Sequence, residues 1–195
     1  IRAALFAEAG LGWGLDDTVC VFVGRLDHQK NPQLLLQGFA QAARGRDTMR
    51  LLVVGDGVLR PQVEGLLDEL GLRERVALLG VRPREQVAKF LRCADLKVLS
   101  SAYEGMPRCV VEALGSGTPV VATRVGEVPR LVKDGRNGYV VDTDSPAALA
   151  AGLEAALSHG PFDPQACAES VSEFTPAAVL APVFATYRRL ATRNG

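Results

Sequence analysis

"LKVLSSAYEGMPRCVVEALGSGTPVVAT", residues 96–123, decides the fold. Its ends are two short apolar runs, Leu96–Leu99 and Pro119–Ala122, of the kind that form strands covered on both faces. Between them Pro107 starts a helix at its preferred position, and the helical pattern runs from Arg108 to Gly115. Gly115 and Gly117 then let it end and turn into the second strand. Glu104 hangs at the mouth of this unit and Glu112 lies on its helix, eight residues further on. Glu112 is about one and a half turns along that helix, ~7.5 Å at 1.5 Å per residue. Acid, free helix amides and acid, in that order, suit an elongated ligand with hydroxyls at each end and a phosphate between. A solvated capping role fits Glu112 poorly, because Val110, Val111, Ala113 and Leu114 around it are apolar.

Working outward, the same alternation fills the chain. Strand-like runs occur at Val19–Val23, Leu51–Val54, Val76–Leu79, Leu96–Leu99, Pro119–Ala122 and Gly138–Val141. Helical patterns lie at 32–43, 59–70, 83–93, 108–115, 128–132 and 146–157. Asn31-Pro32, Arg82-Pro83 and Ser145-Pro146 each read as a cap followed by Pro at the first helical position. The pattern predicts an α/β fold: a doubly wound, Rossmann-like parallel sheet of about six strands with helices on both faces. Ligands of such sheets bind outside the carboxyl ends of the strands, which marks the loops after Val23, Leu79 and Leu99. After residue 160 the pattern changes to two helices without a strand, the last (Pro176–Arg193) ending in a basic segment. Residues 1–160 are therefore expected to form the ligand-binding domain and 161–195 a helical extension.

Bulk properties narrow the function. The 195 residues carry 22 basic and 22 acidic side chains, so no global charge draws the chain to nucleic acid or an acidic membrane. Aromatics are 6 %, too few for a base-stacking surface. No apolar run reaches the roughly 18 residues that span a bilayer. With no leader pattern at the start, the expectation is a soluble, cytoplasmic domain. The scattered cysteines Cys20, Cys93, Cys109 and Cys167 read as reduced structural thiols, and no metal-ligand cluster stands out.

Three loops carry chemistry. "VGRLDHQKN" (23–31) presents Arg25 and Lys30 at a strand's carboxyl end before a helix begins, a place that suits a phosphate or diphosphate. His28 in the same loop reads as a bystander. "VGDGVLR" (54–60) has Arg60 where a dinucleotide fingerprint needs its third Gly, so its glycines read as a tight turn. "LLGVRPREQ" (78–86) exposes Arg82, which could stack on a planar ring, hold a phosphate or simply charge a helix start.

"EGMPRCVVEALGSGTPVVAT" resembles the E-x7-E signature of retaining glycosyltransferases of the GT-B fold, and "VGRLDHQKN" is similar to their Gly-Arg-x4-Lys loop. "VGEVPRLVKDGRNGYVV" looks like the family's following segment, and the likeness covers 19 to about 158. The resemblance implies one half of a GT-B fold, the donor-binding half of an enzyme that moves a hexose-type sugar from a nucleoside diphosphate donor. It implies catalytic roles for Glu104, Arg25 and Lys30, diphosphate binding by Arg25 and Lys30 beside Gly24, and sugar contacts from Glu104 with the Gly105 and Met106 amides. The Arg108 and Cys109 amides would meet the distal phosphate, Glu112 the ribose and Arg82 the base. It also implies metal-independent transfer, no nucleic-acid partner, and an acceptor-binding domain before Ile1 onto which the last helix crosses. The domain alone is then expected to be inactive. For the full-length protein the resemblance allows peripheral association at the inner face of the membrane. Pro107, which cannot donate an amide, and Glu127 and Arg130, where the family usually has Gly and Glu, depart from the pattern. A noncatalytic nucleotide-sugar-binding module is the alternative; a sugar-nucleotide epimerase fits the two motifs less well, and a glycosidase least of all.

Overall fold

The apolar, β-branched runs become strands β1 (Thr18–Val23), β2 (Met49–Val54), β3 (Val76–Gly80), β4 (Leu96–Leu99), β5 (Val120–Thr123) and β6 (Gly138–Val141). They form one six-stranded sheet in the order β3-β2-β1-β4-β5-β6, and every neighbouring pair is parallel. The structure is a computed structural model that describes residues 2–142 and 145–191. Its helices are α1 (Arg2–Glu8), α2 (Pro32–Ala42), α3 (Arg60–Glu69), α4 (Arg84–Cys93), α5 (Arg108–Gly115), α6 (Val128–Leu131), α7 (Pro146–His159), α8 (Pro164–Glu169) and α9 (Pro176–Ala191). A 3-10 turn, Ser172–Phe174, joins the last two.

Alternate residues of each strand feed two separate cores. Cys20 and Phe22 of β1 face a layer of α2, α3 and α7, with Leu35, Phe39, Leu67, Leu149 and Leu153. Val19 and Val21 face the other layer, with Phe6 of α1, Leu91 of α4, Val110 and Leu114 of α5, Val128 of α6 and Cys167 of α8. Buried on both faces, the strands need no polar stripe, which is why they read as continuous apolar runs. Apolar burial on this scale, at about 25 cal/mol per Å², is what offsets the ordering of the chain.

Helix starts mostly follow the sequence expectation. Asn31 caps α2, its side chain accepting from the Leu34 amide, with Pro32 inside the first turn. Ser145 caps α7 through the Ala148 amide in the same way. Such caps contribute about 1 kcal/mol each. Pro83 and Pro107 differ. Each stands just outside its helix with ψ of 151° and 88°. Proline fixes φ only, and an extended ψ leaves the ring before the first turn. Helix α1 is not marked in the sequence: it has only seven residues, and its formation depends on Leu5 and Phe6 packing against the sheet.

Beyond residue 160 the chain divides. Cys167 and Val171 join the second core, whereas α9 buries no residue. Val179, Leu180, Val183, Phe184, Tyr187 and Leu190 along it are exposed. Its expected end at Arg193 lies outside the described residues. Among the described residues no helix is long and apolar enough to cross a membrane.

Candidate functional site

The strand order reverses between β1 and β4, and the loops leaving these two strands meet there. The loops are stitched along their backbones: the Ala102 amide donates to Gln29 O at 2.8 Å, and Gln29 Nε2 donates to Tyr103 O at 3.2 Å. Ser100 Oγ donates to Lys30 O at 2.8 Å. Across this seam Lys30 Nζ donates to Glu104 Oε1, forming an ion pair whose side chains are only 15 % and 8 % exposed. Ser101 Oγ donates to the same carboxylate oxygen at 2.7 Å. Behind it, Thr123 Oγ1 at the end of β5 donates to Ser101 O at 2.7 Å. Glu104 is thus locked by a cation, a hydroxyl and a second layer that holds the hydroxyl's residue in place. Such a shell fixes a carboxylate in one geometry before any ligand arrives.

Lys30, Glu104 and Gly24 come together; Gly24 backs onto the Lys30 stem. Arg25 points outward, its side chain 72 % exposed and 3.1 Å from Asp27 Oδ2, with Gln29 Oε1 at 3.3 Å. Glu112 is exposed on α5. No side chain caps α5, and its first amides, at Arg108 and Cys109, donate to no backbone carbonyl among the described residues. That leaves donors beside Glu104 at the positive end of the helix. Gly105, Met106 and Arg108 are exposed along the same rim and Cys109 is half-buried. Arg82 is separate from this group, bordering a small cleft of about 50 Å³ with Leu5, Glu8 and Phe90. A larger groove of about 500 Å³ lies beside the Lys30 loop, between α2 and α3, and is lined by His28, Asn31, Leu59, Gln62 and Leu66.

Two turns brace the site from outside. A Cβ on Gly55 would stand 1.9 Å from Gly24 O, and one on Gly57 2.4 Å from Leu26 O. The Leu26 and Leu59 amides tie the same backbones together, donating to Asp56 O and Leu26 O. The glycines of "VGDGVLR" therefore serve close backbone packing against the Lys30 loop. On the other side Gly126, with φ +48°, leaves no room for a Cβ, which would lie 2.3 Å from both Glu104 O and Gly105 O. The Glu127 amide donates to Gly105 O at 3.1 Å, so this turn clamps the Glu104 loop. Arg130 lies further out, paired with Glu127 and Glu173 and 5.7 Å from the Phe174 ring centre; it ties α6 to the 3-10 turn.

Sequence reasoning did not single out Ser100, Ser101, Thr123, Gly126 or Lys97. Two consecutive serines where an apolar strand becomes a loop were a usable signal, since buried hydroxyls need acceptors. A lysine inside an apolar strand was another: Lys97 of β4 is fully buried. All four cysteines are free. Burial pushes the Cys20 thiol up to about 12 and Cys167 to about 11, which makes both inert at neutral pH.

The comparisons with known proteins agree with the fold. The chain is 38 % identical over 160 residues to D-inositol 3-phosphate glycosyltransferase of Corynebacterium kroppenstedtii, covering 78 % of this chain and 36 % of that relative. Sucrose-phosphate synthase of Thermosynechococcus elongatus superposes with a TM-score of 0.81 at 26 % identity, over 99 % of this chain and 49 % of that one. Anabaena HepE, solved with UDP and glucose, gives 0.71 at 25 % identity, over 98 % of this chain and 51 % of that one. The chain thus spans only about a third to a half of the length of these proteins. With GT-B glycosyltransferases as its structural neighbours and residues 6–171 matching the family described as glycosyl transferases group 1, the chain belongs to that glycosyltransferase family.

Proposed function

We propose that this chain is the donor-binding half of a retaining glycosyltransferase that takes a hexose-type sugar from a nucleoside diphosphate. One observation carries the reading: Lys30 and Glu104, from different loops, are locked together at the reversal of the sheet, beside the uncapped start of α5. A cation for phosphate, free amides and a carboxylate for hydroxyls then lie in a row.

On donor binding, Lys30 turns from Glu104 towards the diphosphate and Arg25 leaves Asp27 to join it. Glu104, still held by Ser101, accepts from sugar hydroxyls with the Gly105 and Met106 amides nearby. The Arg108 and Cys109 amides face the distal phosphate, and exposed Glu112 accepts from the ribose hydroxyls. Arg82 meets the base from the rim. In the transfer, the bond from the sugar's C1 to the diphosphate oxygen breaks as an acceptor hydroxyl oxygen bonds to C1 on the same face, and the hydroxyl's proton passes to the departing diphosphate. The departing diphosphate gains negative charge, and Lys30 with Arg25 stabilises it without a metal ion.

In the whole protein, a second domain supplies the acceptor and covers the Glu104 mouth, with the exposed apolar side of α9 crossing onto it. The relative named for D-inositol 3-phosphate makes a polyol phosphate the first acceptor to try. HepE's bound UDP and glucose make UDP-glucose the first donor. Calorimetric titration of the 195-residue chain with UDP-, GDP- and ADP-sugars and the bare diphosphates tests the core of this reading. One nucleotide is expected to stand out, with its bare diphosphate keeping much of the affinity. Failure of all of them to bind folded protein contradicts the donor-site assignment.

A further inference from the structure

Lys97, on β4, has no exposed surface. Its backbone pairs with Val21 of β1 on one side and Val120 of β5 on the other, so it sits in the sheet at the reversal itself. An ammonium removed from water is costly unless carboxylates or several acceptors surround it. Lys97 has neither. Its Nζ donates to Val98 O and lies 5.3 Å from the Phe22 ring centre. Two of its three N–H donors have no partner among the described residues. The groups whose charge acts on it are Lys30 from the β1–α2 loop, Glu104 from the β4–α5 loop, and Cys109 and Glu112 from α5. All of these belong to the candidate donor site. Lys97 is fully buried, and Lys30 and Glu104, which pair with each other, are 15 % and 8 % exposed. Lys30 already occupies Glu104, and a Leu or Met would fill the Lys97 space without the cost of a buried ammonium.

We propose that Lys97 is a buried third cation of the donor site, which attracts the diphosphate from beneath and frees Lys30 from Glu104 when the diphosphate arrives. It acts through charge, without touching the ligand, so it is a positioning residue. The proposal rests on the donor-site reading above. Burial pushes the Lys97 ammonium below the ordinary lysine range, with Lys30 adding to the effect and Cys109, Glu104 and Glu112 opposing it. A bound diphosphate favours the charged form.

The test is titration of the 195-residue chain with UDP, GDP and ADP, followed by the tightest of these against Lys97→Met and Lys30→Ala between about pH 7 and about pH 9. Lys97→Met is expected to melt at or above the wild-type temperature, since it removes a buried charge. It should nevertheless bind the diphosphate roughly three- to ten-fold more weakly. Its affinity should also fall less steeply than wild type as pH rises. Unchanged affinity in a folded Lys97→Met overturns the proposal, as does a loss that merely follows a lower melting temperature. If Lys97→Met does not fold, the Lys30→Ala profile decides: a persisting loss of affinity at higher pH supports the proposal, and a flat profile overturns it. Absence of binding by wild type to all three nucleotides, by contrast, defeats the donor-site reading itself.

Discussion

Glu104 and Glu112 belong to one sequence signature yet occupy opposite kinds of surroundings. Glu104 is 8 % exposed and fixed by Lys30 and Ser101, with Thr123 and Gly126 holding the backbone around it. Glu112 is exposed on α5, and its carboxylate makes no hydrogen bond or ion pair among the described residues. The first carboxylate is oriented in advance and the second waits for its partner. Preorganisation is most useful where charge and geometry change in the transition state. A solvated carboxylate suffices for gripping a part of the substrate that does not react. On the proposed reading, the contrast puts the chemistry at the Glu104 mouth and ground-state recognition at Glu112.

Four substitutions sharpen or break that contrast. The largest effect is expected from Lys30→Ala in the full-length enzyme. It removes charge from the leaving group and releases Glu104, so turnover at saturating donor should fall by about 10²–10³-fold. A loss of only a few-fold would mean that the mouth is not organised around charge. Gly126→Ala comes next. Its Cβ would collide with Glu104 O and Gly105 O at a positive φ, and the expected cost is about 1–3 kcal/mol of stability. Gly105→Ala is its control, since no atom lies within 4 Å of the Cβ it would add; thermal melts of the two should separate clearly. Ser101→Ala, which deletes one hydrogen bond to Glu104, should weaken sugar-nucleotide binding by about 1.5 kcal/mol and leave the bare diphosphate unaffected. Equal effects on both ligands in a titration would place Ser101 in general scaffolding.

Much of this was legible in the sequence, and what escaped did so for physical reasons. β-Branched runs reveal strands buried on both faces, and Asn31-Pro32 and Ser145-Pro146 carry their caps in the sequence. Lys30 and Glu104 stand out because cations and acids at strand ends are uncommon company for a core. Their direct pairing does not: 74 positions separate them, and only the strand order brings the loops together. The same holds for Gly126, whose need for a bare Cα comes from a backbone contact with Glu104, and for Thr123, whose acceptor is Ser101 O. Pro107 shows the limit of a local rule, since φ is written in the residue but ψ is set by the approach of the chain. For Arg82, the sequence supplies a strand-end cation and the structure leaves it apart from Lys30 and Glu104.

The central claim is the division of labour between the two carboxylates, and matched calorimetry tests it most directly. Glu104→Gln and Glu112→Gln, each shown by circular dichroism to be folded, are titrated with the bare nucleoside diphosphate and with the full sugar donor. Glu112→Gln should weaken both ligands by about ten-fold or more, the worth of a hydrogen bond to a charged group. Glu104→Gln should bind the bare diphosphate at least as well as wild type, since it removes the partner that Lys30 must leave, and weaken only the sugar-bearing donor. A Glu104→Gln variant that loses the bare diphosphate as severely as Glu112→Gln does would contradict the account.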